Sequence, residues 1–256
     1  MNVCLPVSGL VVTLRQPAGA EDILLLEATA YDTNLALALI SSIAANKTAV
    51  VWETLSVTDL DVLLLYVRQM VFGSLIRADA FCPSKGCGSP IEVAFQIGEY
   101  LAHHQPRKAR GVKPASEIGW FQFADMSISF RLPSVADQLA VTHKPQPERE
   151  LVKCCVRPSD INTRLLTRVE RAMAAMAPHL CDVLQGTCPE CNATVDIYFD
   201  PQRFTLQELR EQATFIYEDI HLLASRYQWS EAEILALPRH RRHKYAAQVR
   251  QERMLA

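Results

Sequence analysis

The sequence predicts an α+β fold, mostly helical, with small antiparallel strands. Three observations carry that expectation. Long segments repeat their apolar residues at helical spacing, short segments alternate apolar with polar residues, and two cysteine pairs each run into an alternating segment.

The elements follow in order. Val3 to Leu5 and Val11 to Leu14 flank a Pro-Val-Ser-Gly turn, which predicts a small hairpin. Helical periodicity starts near Ala20 and returns over residues 33–45. Ser56, with Asp59 three residues on, marks a helix start, and residues 60–72 continue as buried helix that Gly73 ends. Residues 75–81 are short enough for a strand and lead into the first cysteine pair, beyond which residues 91–95 alternate. Residues 105–114, with Arg107, Lys108, Arg110 and Lys113, predict an exposed loop, and residues 120–132 a second hairpin. Ser134 with Asp137 starts a short helix, and residues 148–156 form another. Residues 161–184 predict a long amphipathic helix with Leu165, Val169, Met173 and Met176 on one face, bent or broken at Pro178. Thr205 with Glu208, and Ser230 with Glu233, read as capping boxes stapled by Phe204/Leu209 and Trp229/Ile234. Pro238 separates the second of these helices from a last one over residues 239–254. The chain divides into an N-terminal hairpin with helices (1–74), a cysteine-bearing region with an inserted hairpin and helices (75–203), and a C-terminal helical segment (204–256).

With 256 residues, 49% of them hydrophobic and 21% charged, the chain can bury a sizeable core. A net charge of −2 exerts no general pull on nucleic acid or anionic membrane. The apolar runs at 35–40 and 62–67 are too short to span a bilayer, so no membrane span is expected. Residues 1–10 lack the cationic-then-apolar order of a secretory signal, and a cytoplasmic protein is the expectation.

Of eight cysteines, Cys4, Cys154, Cys155 and Cys181 have no partner at ligand spacing and are expected to be buried small hydrophobes. The other four form two pairs: Cys82 and Cys87, with four residues between them, and Cys188 and Cys191, with two. Both first cysteines precede proline, and both second cysteines precede a turn residue, Gly88 or Asn192. Counting four, six and eight residues on, Ile91, Val93 and Phe95 match Val195, Ile197 and Phe199. Each unit is therefore a knuckle followed by a strand with one apolar face. Two such knuckles make a discontinuous zinc ribbon in which Cys82, Cys87, Cys188 and Cys191 hold one structural Zn2+ and leave no position open for water. Alone, the second pair could pass for a redox motif, but a strand follows it rather than a helix. One hundred residues separate Cys87 from Cys188. Closing that loop costs about 4–5 kcal/mol of chain entropy, whereas a structural zinc supplies on the order of 10–16 kcal/mol.

Catalytic signatures are missing: there is no G-x-S-x-G, H-E-x-x-H, Walker A or G-x-G-x-x-G sequence. His103 and His104 are adjacent and so diverge in direction, and no enzyme is expected. The concentrated charge is C-terminal: Arg239, Arg241, Arg242 and Lys244, beside Trp229 and Tyr245, form the candidate partner-binding surface. A solvated helix face is the plainer reading of the same residues.

Leu5-Pro-Val-Ser-Gly-Leu10 with Arg15, residues 63–73 with Arg68, the first knuckle, and residues 221–242 around Trp229 together resemble the T-even-phage-like baseplate hub assembly chaperone family. Its members also occur with phage tails and contractile injection systems. The resemblance touches most of the chain; the stretch 118–161 and the second knuckle have no position-by-position match in it. It implies no catalytic residues. It implies a non-catalytic structural or assembly protein that meets baseplate hub or wedge proteins, at the cytoplasmic assembly site or in the particle. The alternative is a zinc-ribbon accessory factor binding nucleic acid, although no aromatic stacking set accompanies the basic cluster.

Overall fold

The computed structural model describes residues 1–45 and 50–255. Strands β1 (Asn2–Cys4) and β2 (Val11–Thr13) form the first hairpin, followed by α1 (Gly19–Glu27), α2 (Thr33–Ile43), a 3-10 turn (Trp52–Thr54) and α3 (Val57–Phe72). Ser56 caps α3 by accepting from the Asp59 N–H, and Gly73 ends it at a φ of 87°. Next come the hairpin β3 (Leu75–Phe81) and β4 (Pro90–Gln96), then α4 (Ile97–His103).

An inserted unit follows: β5 (Val112–Pro114), β6 (Trp120–Phe123), β7 (Ser129–Arg131), α5 (Val135–Val141), α6 (Pro147–Cys154), β8 (Val156–Arg157) and α7 (Thr163–Met176). Its strands make one antiparallel sheet in the order β5-β6-β7-β8. The chain then forms the hairpin β9 (Asp182–Thr187) and β10 (Thr194–Phe199), and ends in α8 (Pro201–Ala213), α9 (Ile216–Tyr227), α10 (Glu231–Ala236) and α11 (Arg239–Leu255). The α+β expectation holds at this level: helices dominate, and the sheets are small and antiparallel.

The main core joins sequence-distant pieces. Leu39, Ile40, Leu60 and Leu63 are fully buried with Ile76 of β3 and Leu206 of α8. Helix α3 is enclosed so completely that its polar residues need partners inside the protein. Asp59 accepts from the N–H groups of Val7 and Ser8, both at 3.0 Å, and so holds the Pro-Val-Ser-Gly turn. Asp61 accepts from Gln202 Nε2 at 2.7 Å. Arg68 pairs with Glu208 at 2.9 Å and donates to the carbonyls of Gly73 and Leu75, fixing the chain where α3 passes into β3. The inserted unit has a core of its own around Phe123, Phe130, Val156, Val169 and Met173.

Three expectations need correction. The helix expected over 161–184 stops at Met176, and residues 182–187 are strand β9. Pro178 ends the helical pattern, and pairing with β10 decides the remainder. Thr205 does not cap α8, because Asp200 accepts from the Arg203 N–H and Pro201 occupies the first turn. Thr205 lies buried inside that helix, its hydroxyl without a hydrogen-bond partner among the described residues, and Glu208 meets Arg68 instead. The loop expected over 105–114 ends in β5, which pairs with β6. By contrast, the Ser134/Asp137 and Ser230/Glu233 capping boxes both form.

Candidate metal centre

The hairpins β3–β4 and β9–β10 close in the same way. Cys82 N–H donates to the Ser89 carbonyl at 2.9 Å, and Cys188 N–H to the Ala193 carbonyl at 2.9 Å, each acceptor two residues beyond its second cysteine. The turn residues have left-handed backbones, Gly88 at a φ of 62° and Asn192 at 57°. On the inner faces, the rings of the equivalent residues Phe95 and Phe199 meet edge-on at 5.2 Å, with Tyr100 within 5.3 Å of both. Ile91, Val195 and Ile197 pack against the cysteines.

This stacking brings the two knuckles together. Cys82 Sγ lies 3.6 Å from Cys191 Sγ, and Cys87 Sγ lies 3.8 Å from Cys188 Sγ, so each close contact joins one knuckle to the other. All four sulfurs lie within 4.8 Å of one another, and all four cysteines are free thiols. A regular tetrahedron of thiolates around a zinc ion with bonds of about 2.3 Å has edges of about 3.8 Å. The four sulfurs fit that donor set and could hold a metal.

The electrostatics agree with shared charge. Hydrogen bonds from the Ser89 hydroxyl and N–H draw the Cys87 thiol down to about 6. Cys82 moves the other way, to about 12: the backbone N–H of Ser84 favours its thiolate, but desolvation and three neighbouring thiols outweigh that bond. Four crowded thiols with no cation cannot all ionise, and a divalent ion at their centre removes the conflict.

The remaining cysteines depart from expectation. Cys155 is buried and Cys181 half-buried, but Cys4 and Cys154 are exposed. Cys154 and Cys155 form a second small cluster with Asp137. It is a poorer metal site, because Asp137 already takes both ends of the Arg131 guanidinium and the Ser134 hydroxyl, and these hold it down to about 2 despite its burial. His103 and His104 form no acid–base pair. His104 contacts the Tyr100 carbonyl through Nδ1 and Asp182 through Nε2, at 2.9 and 3.3 Å.

The C-terminal basic cluster is split by the fold. Arg242 is fully buried, paired with Asp22 and lying 3.5 Å from Asp219, and Arg239 also pairs with Asp22. These two arginines tie α11 to α1 and are not an exposed surface, which corrects the expectation for them. Gly19 permits the contact: a Cβ there would stand 2.7 Å from Leu235 Cδ2 and 3.0 Å from Arg242 Nη1. Arg241 and Lys244 remain exposed. Trp229 is half-buried, stacked on Tyr227 at 4.8 Å and edge-on to Tyr245 at 5.5 Å.

Sequence reasoning did not single out Asp22 or Asp61, and it read Asp59 only as part of a helix start. Each is an acidic residue inside an apolar helical stretch, and that placement is the available signal of a buried partner. No helix among the described residues is long and apolar enough to cross a membrane.

A family model described as T4 bacteriophage base plate protein matches residues 1–158. No curated protein and no solved structure matches the chain. The matched stretch contains the turn held by Asp59, the buried Arg68, the first knuckle and most of the inserted unit, whereas the second knuckle and α8–α11 lie beyond it. With more than half of its length matched, the chain belongs to the T4 bacteriophage base plate protein family.

Proposed function

We propose that the protein is a non-catalytic structural or assembly component of a phage-like contractile-tail baseplate, held together by one structural zinc ion on Cys82, Cys87, Cys188 and Cys191. Family membership supports the baseplate role. The observation that carries the zinc is the set of four free thiols at tetrahedral spacing, supplied by two hairpins that close with equivalent bonds. Such a site has no open coordination position, and its role is to join residues 75–96 to residues 182–199 across the long intervening chain.

The docking surface on other baseplate proteins, in this reading, includes the exposed Arg241 and Lys244 with the Trp229–Tyr245 aromatic pair, supported from behind by Arg239 and Arg242. An assembly-chaperone role, acting before or apart from the finished particle, is compatible with the same surface. The nucleic-acid alternative finds little support at the knuckles, where the exposed acidic residues Asp79, Glu92, Glu190 and Asp196 outnumber Arg77 and Lys85.

Metal analysis of protein purified without chelator tests the zinc. One zinc per chain is expected; Cys188→Ser loses it, and Cys154→Ser keeps it. A zinc-free, folded wild-type protein overturns the metal reading. For the surface, Arg241→Glu with Lys244→Glu is the informative pair, because changing Arg242 would break a buried ion pair and unfold the region. Normal particle assembly with that folded variant moves the docking surface elsewhere.

A further inference from the structure

The inserted unit differs in charge from the rest of the molecule. Residues 105–176 hold twelve Lys and Arg against seven Asp and Glu, a net charge of +5, within a chain whose total is −2. The remainder therefore carries −7. Four of the insert's cations are neutralised locally, in the pairs Arg131–Asp137, Lys153–Glu150, Arg157–Glu117 and Arg168–Asp125. Of the other eight, five lie on α7 or on the loop beside it. On α7, Arg164, Arg168 and Arg171 are spaced by four and three residues and share a helix face.

The loop before β5 runs along that same face. Arg107 N–H donates to the Ala175 carbonyl at 2.6 Å, and Gly111 passes within reach of Arg168 Nη2. Ala175 lies four residues beyond Arg171, on the same stripe, so the loop delivers Arg107, Lys108 and Arg110 alongside the helix arginines. Arg107, Lys108, Arg110, Arg164 and Arg171 are exposed, and none has an ion-pair partner among the described residues. The strip is also anchored at its centre. Arg168 stacks on the Phe123 ring at 4.6 Å and is held by both oxygens of Asp125 at 2.9 Å, and the helix and sheet beneath share the insert's own core.

We infer that this strip of loop and α7 cations is a docking surface for an acidic patch on another protein of the baseplate. The inference rests on the baseplate reading, adds a second surface remote in sequence from the C-terminal one, and does not depend on zinc. Charge complementarity selects the occupant. A compact acidic patch engages the +5 insert while avoiding the −7 remainder, whereas an extended polyanion such as DNA would also face that remainder. Among the described residues the insert exposes no Phe, Tyr or Trp ring on which bases could stack, since Trp120, Phe123 and Phe130 are buried and Phe121 is half-buried. A second copy of this chain is the competing occupant, as its remainder is itself acidic.

The experiment uses the full-length protein and a variant with Arg107, Lys108, Arg164 and Arg171 all changed to Glu, keeping Arg168 in place. A second variant changes Arg107, Arg164 and Arg171 to Lys. Unchanged circular dichroism and zinc content qualify both. Each is co-expressed with the other baseplate proteins of its source, and the affinity of any binary complex is measured over a salt series. The expected result is a complex with one identified, acidic-surfaced baseplate protein, weakened by salt. It loses about tenfold or more in affinity in the Glu variant and little in the Lys variant. Equal affinity of wild type and Glu variant overturns the inference. So does tighter binding to duplex DNA that the Glu substitutions abolish, or self-association of the wild type that they abolish. Particles that assemble normally without the protein at all would instead refute the baseplate role, and a zinc-free, folded wild type would refute only the metal reading.

Discussion

Burial keeps the Asp61 carboxyl from water, and its pKa rises to about 7: desolvation drives it up, the Gln202 bond opposes, and the charge of Asp200 adds to the rise. The folded protein therefore holds a proton that the unfolded chain releases near the ordinary aspartate value of 3.8. Stability contributed by this group is full below that value, declines as pH rises from about 4 to about 7, and is level above it. Asp61→Asn keeps an acceptor for Gln202 and cannot ionise. Its urea midpoint relative to wild type should rise by the equivalent of a few kcal/mol between pH 4 and pH 8, on the order of 1.4 kcal/mol for each tenfold change in the acid constant on folding. Parallel pH dependences would show that Asp61 is ionised in the fold. Asp22 is also buried, and it pairs with two arginines. Asp22→Ala should cost about 3–5 kcal/mol in denaturant unfolding, because it leaves Arg239 without its partner and Arg242 with Asp219 alone. Combining it with Arg242→Met should recover part of that loss, and a double variant as weak as the sum of the singles would mean the pair is not coupled.

The knuckle hairpins are the elements in which local geometry most directly prepares a function. Both turns need a left-handed residue just past the second cysteine, so that backbone N–H groups can approach the sulfurs. Gly88→Ala forces an L-residue into a φ of 62° at a cost of about 1–2 kcal/mol. Its zinc affinity, read by competition with a chromophoric chelator, should fall below wild type. Gly98→Ala is the matched control: it lies in α4, a Cβ there meets nothing within 4 Å, and it should stabilise by about 0.5–1 kcal/mol without touching zinc affinity. Equal affinities for Gly88→Ala and wild type would remove the turn from the binding energetics. Helix ends are readable where a side chain caps its own next turn, as with Ser56, Ser134 and Ser230. The pattern misleads at Thr205, where Asp200, five residues earlier, supplies the acceptor and Pro201 the preset φ.

Across the whole molecule, the zinc reading makes the two halves of the clasp one cooperative unit, while the insert carries a separate core. Chelation should therefore raise hydrogen exchange in residues 75–96 and 182–199 together, leaving α7 and the β5–β8 sheet protected. Exchange rising equally in α7 would mean that the insert is stabilised through the clasp. Loss of protection in α8 would follow from the same chelation, because Phe199 packs on Phe204 at 5.4 Å and joins the main core.

The sequence by itself determined the features that depend on neighbours along the chain. These are the paired knuckles with their turn residues, the serine-capped helices, the apolar faces of the strands, and the family resemblance carried by the Pro-Val-Ser-Gly turn and Arg68. Apolar periodicity and capping are local, so they can be read one segment at a time. Tertiary structure alone decided which charges face water. Arg241 and Arg242 are adjacent in one basic run, and α11 packs on α1 so that one is exposed and the other is sealed against Asp22. Nothing local distinguishes them, because the partner lies 220 residues away. β9 is undecided over a shorter range: its residues fit a helix or a strand by themselves, and the ladder with β10 just across the knuckle turn outweighs a weak local preference.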